Sequence, residues 1–165
     1  MNDELYTKRD RMRFTKNSLS STLVILAILF DVFYFINIYE SDVTHVVGNF
    51  YYQIRIGASI VYNLVFMLAA FLSSEGVKNY KKSYCYVLFV IGVLQIVRVF
   101  ILPAQAASTE VTIGEVTTMV MDGAQHVRVV IYLLLSAAGC LAGGVIGLIR
   151  CNELEAHMAS LEKKA

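Results

Sequence analysis

Tryptophan is missing from this chain, and proline occurs once, at position 103. Charge is scarce as well. Asp, Glu, Lys and Arg make up 16% of the 165 residues, whereas 57% are hydrophobic and the mean hydropathy is +0.60. Soluble domains carry roughly 25% charge and about 45–50% apolar residues, so an aqueous core cannot absorb the surplus. The composition therefore excludes an ordinary soluble domain and calls for a bilayer. A formal net charge of +1 excludes the basic surface that nucleic-acid binding needs.

Chemistry-bearing motifs are missing too. There is no GxxxxGK[ST] loop to cradle phosphate, no HExxH helix, no GxSxG elbow and no CxxC pair. No two acids are spaced for general acid–base work in an apolar run, and no serine has a histidine at matching depth. Cys85, Cys140 and Cys151 fall within or just beyond apolar runs, which argues against a disulfide framework in the outer loops. His45 and His126 have acidic neighbours, but on separate loops they make no metal-ligand spacing. The expectation is a non-enzymatic protein without metal or other cofactor.

What the chain does have is long apolar runs. Between Arg128 and Arg150 lie 21 residues without a charge, about the length of helix that crosses a ~30 Å hydrocarbon core. Three further runs give spans at about residues 19–39, 54–72 and 84–102. Ser18 is the expected cap of the first, Glu75-Gly76 suits the end of the second, and Pro103 stops the third because it cannot extend the hydrogen-bond ladder. The whole chain, 1–165, reads as a single membrane domain. Its fold class is all-α, a polytopic four-transmembrane-helix bundle with neighbouring helices antiparallel.

Residues 1–17 form a basic segment, expected to be a retained cytoplasmic tail lying helically at the interface through Leu5, Met12 and Phe14. A short outer loop follows the first span, with Gly48-Asn49 as its turn signal. Residues 104–127 form the longer outer loop. Its β-branched residues around Gly114-Glu115 fit a hairpin or a short helix, and a helix from Gly114 to the fourth span is favoured. Residues 151–165 extend the fourth helix as a tail, with Leu154, Met158 and Leu161 on one docking face.

Lysine and arginine set the orientation. The N-terminal segment holds five, the loop after the second span three and the C-terminal segment with Arg150 three, while Arg55 and Arg128 stand at the borders of the outer loops. By the positive-inside rule both termini are cytoplasmic, and the expected location is the cell membrane. The ten tyrosines and nine phenylalanines, many near span ends, serve as interfacial rings.

Two features of the spans point to function. Gly139, Gly143 and Gly147 recur every four residues, lining one face where a second backbone can approach closely. That face suits another helix of the same chain, or a glycine zipper between subunits of a homo-oligomer. Polar residues also sit at membrane depth, where an ionisable group costs roughly 2.5–3.5 kcal/mol to insert. Asp31 lies about 12 Å below the outer end of its helix and Arg98 about 6 Å below the end of its own, within bridging reach of each other. Gln95 is one turn from Arg98. Arg55, Ser59 and Asn63 form one polar stripe, and Arg128, Tyr132 and Ser136 another.

If all of these face inward, the outer half is a polar chamber with one acid and up to three arginines. Two functions follow from different premises. The first is a small subunit or regulator of a membrane complex, or a homo-oligomer, acting through helix–helix assembly. The second is a small channel or transporter whose chamber around Asp31 and Arg98 takes an anion, a lipid headgroup or a proton-coupled substrate; the same residues also fit a satisfied buried network that fixes helix register, with the border arginines reaching headgroups.

Overall fold

A computed structural model describes residues 17–39, 50–108, 110–113 and 116–163. The expectations for the N-terminal tail, for Gly48-Asn49 and for His45 fall outside the described residues. So does the side chain of Leu161.

The elements in chain order are α1 (Ser18–Tyr39), α2 (Phe50–Lys78), α3 (Lys82–Val99), α4 (Leu102–Ser108), β1 (Glu110–Ile113), β2 (Val116–Met119) and α5 (Gly123–Glu162). Among the described residues four stretches are long and apolar enough to cross a membrane: Ser18–Tyr39, Gln53–Lys78, Lys82–Ser108 and Gly123–Ser160. Their outward faces are as apolar as their inward ones. On α2 alone, Val61, Leu64, Val65, Leu68, Phe71 and Leu72 are each more than half exposed, a surface that water would penalise and lipid would not.

Packing follows from spacing. The buried residues of α1 are Ser20, Val24, Ala27, Asp31, Tyr34 and Ile38, alternating four and three apart. A 3.5-residue period keeps one seam against a neighbouring helix. That neighbour is chiefly α5, which also packs along α3; α2 lies against α1 and more loosely against α3. Gly139 and Gly143 make the α1–α5 approach close, and Gly147 faces α2 and α3. A Cβ on Gly139 would meet the Leu23 carbonyl oxygen at 3.0 Å and the Ala27 Cβ at 2.9 Å, and one on Gly143 would meet Val24 Cγ2 at 2.8 Å. On Gly147 it would meet Val77 Cγ1 at 2.7 Å and Cys85 Sγ at 3.0 Å. Ser20 Oγ adds a hydrogen bond to the Gly143 carbonyl at 2.5 Å. The glycine face thus seats helices of its own chain, which displaces the zipper between subunits.

Four local expectations are corrected. Asn17, not Ser18, precedes the first helix, and its carbonyl accepts the Ser21 N–H at 3.4 Å. Gly76 lies inside α2, which runs on to Lys78, and the Tyr84 ring occupies the space a Cβ there would need. The turn is made instead by Tyr80, in the left-handed region at φ 56°. Lys81 N–H bonds to the Gly76 carbonyl and Tyr80 N–H to the Val77 carbonyl, the pair of bonds that closes a helix in a Schellman motif. The third helix ends at Val99, before the proline, whose ring would strike the carbonyl four residues back. Pro103 then sits in the first turn of α4, where no donor is missed.

The fourth correction concerns residues 104–127. In place of a helix from Gly114, β1 and β2 pair antiparallel in the register Ile113↔Val116 to Glu110↔Met119. β-branched residues lose χ1 freedom in a helix and fit a pleated strand, and a two-residue connection beginning with glycine suits a hairpin. The fourth helix proper begins at Gly123, where the Asp122 carbonyl accepts the His126 N–H at 2.8 Å.

Two apolar clusters fill the bundle. At the hairpin end are Tyr34, Ile38, Leu102, Ala106, Val120, Met121, Val129 and Leu133. At the opposite end, Val24, Ala27, Phe66, Ala70, Val77, Leu88 and the three cysteines form the larger cluster. All three cysteines are free thiols and buried. Between the clusters lies a polar layer.

Candidate functional site: a buried polar layer and a cleft beside it

Asp31 comes from the middle of α1 and is fully buried. Its Oδ1 accepts Gln95 Nε2–H at 2.9 Å and Arg98 Nη1–H at 3.1 Å, both from α3. Arg98 is 5% exposed and is shared further. Nη1 also donates to Gln95 Oε1 at 3.3 Å, and Nη2 donates to Ser59 Oγ of α2 at 3.3 Å. Gln95 Nε2 reaches Ser136 Oγ of α5 at 3.3 Å. One connected network therefore touches all four long helices. Gln95 and Arg98 share a face of α3 because residues three apart on a helix do.

Two rings complete the surroundings of the guanidinium. Its Cζ lies 4.3 Å from the centroid of Tyr34 and 4.8 Å from that of Tyr62, distances at which a cation is drawn to an aromatic face. Tyr34 was not singled out from the sequence, although it stands three residues after Asp31 on the same face of α1. Asp31 Oδ2 is buried with no hydrogen-bond partner among the described residues.

Not every polar residue joins. Asn63 is fully buried, and neither its amide nitrogen nor its oxygen has a partner among the described residues. Arg128 is exposed, and Tyr132, half-buried, packs a tilted ring on Phe33 at 5.8 Å between centroids. Only Ser136 of that stripe faces the network. A four-residue step advances about 40° beyond a full helical turn, so the stripe swings outward within two steps. The chamber with up to three arginines is thereby reduced to one buried arginine, with a second beside it.

That second arginine is Arg55. Between α2 and α3, next to the network, lies a cleft of about 250 Å³ lined by Arg55, Ala58, Ser59, Tyr62, Leu94, Val97, Arg98, Ile101 and Leu102. Arg55, Ala58, Ser59 and Tyr62 lie on one face of α2, and Leu94, Val97 and Arg98 on one face of α3, with Ile101 and Leu102 of the α3–α4 junction closing the end. Among the described residues, no acid lines this cleft.

In chemical terms the layer is a paired, mutually neutralised cluster. Among the described residues no second carboxylate joins the network. Among the described residues no three His, Cys, Asp or Glu side chains come together as a metal site would require. Compared with known protein families, with characterised proteins and with solved structures, the chain finds no match.

Proposed function

We propose that the four apolar helices cross the cell membrane with both chain ends in the cytoplasm, and that the protein acts by assembly, as a small non-enzymatic subunit or regulator of a larger membrane complex. The orientation rests on the lysine and arginine distribution, with the hairpin end outside. Single cysteines placed at Ser108 and Ser160 test it. A membrane-impermeant maleimide labels the first in intact cells and the second only after permeabilisation; the reverse pattern overturns the topology.

The observation that carries the assembly reading is α5. It runs unbroken for 40 residues, roughly 60 Å, or twice the ~30 Å a hydrocarbon core requires. Its far end is braced by an ion pair between Lys82 of α3 and Glu155 at 2.5 Å. Around and beyond that brace, Leu154 and Met158 share a face with His157, and all three are half-buried. A helix continuing past the lipid on a braced root is suited to dock a partner. Extracted from its native membranes in mild detergent, the full chain is expected to migrate in a complex with a second protein. A chain ending at residue 155 keeps its four spans and should migrate alone. A full-length chain that is solitary in the same extract overturns the reading.

A second reading draws on the cleft. An outward-facing site beside Arg98 and Arg55 is what a small channel or transporter for an anion would need. Its test is Asp31→Asn in liposomes: a folded variant that has lost flux supports transport, and a variant that merely unfolds supports a structural role for the pair.

A further inference from the structure

Two helices bring unanswered polar atoms to one depth. Asp31 Oδ2 on α1 and both ends of the Asn63 amide on α2 have no hydrogen-bond partner among the described residues, and both side chains are fully buried. The helix register places them together. Ser21 Oγ and Ser74 Oγ hydrogen-bond at 2.8 Å and tie α1 to α2 at the end away from the hairpin. From that tie Asp31 is ten residues along α1 and Asn63 eleven back along α2, rises of about 15 and 17 Å. A second tie agrees. Arg98 donates to Asp31 through Nη1 and to Ser59 through Nη2, and Ser59 is one turn from Asn63 on the same face of α2. Phe66 and Ala70 continue that buried face inward.

A carboxylate oxygen and an amide left dry at membrane depth are costly, so a polar group must answer them. They do not bond each other. A cation would bring an unanswered charge, because Asp31 is already paired with Arg98. A hydrocarbon would leave all three atoms unpaired. What fits is a small neutral group that both donates and accepts. We propose that the interior between Asp31 and Asn63 is a binding site for ordered water. One water accepts an Asn63 Nδ2–H and donates to Asp31 Oδ2. The oxygen and nitrogen of one amide point apart, so a second water donates to Asn63 Oδ1 and to the first. Each then has the two or more polar partners that a buried water requires. Ser59 and Arg98 belong to the network and also line the cleft of about 250 Å³, several times the ~30 Å³ share of one water, so water enters from that side. The proposal rests on how α1 and α2 pack, and not on the assembly or the transport reading.

The test uses the full chain. A crystal structure grown from lipid, at a resolution that shows ordered water, is expected to place water within hydrogen-bonding distance of Asp31 Oδ2 and of the Asn63 amide. A direct Asp31–Asn63 bond, or an apolar group between them, overturns the proposal. Unfolding in detergent micelles gives an independent readout. Asn63→Leu keeps the side-chain size but removes the partner of the water, and should lower the folding equilibrium constant about tenfold, the weight of one buried hydrogen bond. Were the amide dry, the same substitution would raise that constant, so a gain or no change contradicts the water site. In the Asp31→Leu/Arg98→Met background the loss should largely vanish, since the water has then lost its other anchor; an undiminished loss counts against it. If Asn63→Leu does not fold, the crystal structure of the unaltered chain decides. Replacing sodium chloride by choline chloride should leave the unfolding midpoint unchanged, whereas a sodium-dependent midpoint assigns the site to a cation and overturns the assignment to water.

Discussion

At the scale of single residues, the interior is governed by the rule that a buried charge needs its counter-charge more than it needs burial. Removing one member of a buried pair typically costs about 3–5 kcal/mol, while replacing both with apolar residues of similar size is often close to neutral. Arg98→Met should therefore destabilise the bundle by about that amount, and Asp31→Leu likewise. The double variant should lose much less than the sum, as read by unfolding in detergent micelles. Additive losses would show that the two groups are not coupled.

Glycine gives a second residue-level contrast. Gly139→Ala pushes a methyl against the Leu23 carbonyl and Ala27, so a loss of roughly 1–3 kcal/mol is expected. Gly57→Ala meets nothing within 4 Å and should gain roughly 0.5–1 kcal/mol by stiffening the unfolded chain. Thermal unfolding of the two variants side by side checks both signs. Asp31, Gln95 and Arg98 could be read from sequence as a group, because an acid and a base at matching depth in apolar runs have few other partners. The absence of Arg128 from the group could not. It depends on which way α5 is rotated, and that is fixed by glycines facing α1 rather than by the polar stripe.

Among whole elements, length and composition were legible and ends were not. Each of the four long apolar helices is visible as a run of low charge. Their boundaries were not: α2 runs past Gly76 to Lys78, and the Tyr84 ring fills the space a Cβ on Gly76 would need. Gly76→Ala is accordingly expected to cost about 1–3 kcal/mol, with part of that recovered in Gly76→Ala/Tyr84→Ala. A full, additive loss in the double variant would mean that the ring is not what requires the glycine. By contrast Glu155→Gln, which breaks an ion pair whose glutamate side chain is 63% exposed, should change stability by less than about 1 kcal/mol. The hairpin was visible in its β-branched residues. Strands this short carry little periodic signal, so the same residues also fit a short helix.

For the molecule as a whole, everything above depends on lipid surrounding the bundle. In water the exposed apolar faces of α2 and α3 would drive aggregation, and the close α1–α5 seam would be a minor feature beside them. In a bilayer those faces are already solvated, so glycine contacts and the Asp31–Arg98 network decide the arrangement. Spin labels placed one at a time along α2, from position 61 to position 72, test this most directly, through collision with oxygen and with a water-soluble nickel chelate in liposomes. High oxygen and low chelate accessibility are expected at Val61, Leu64, Val65, Leu68 and Leu72, with both low at Phe66 and Ala70. Strong collision with the chelate at the exposed positions would contradict the account.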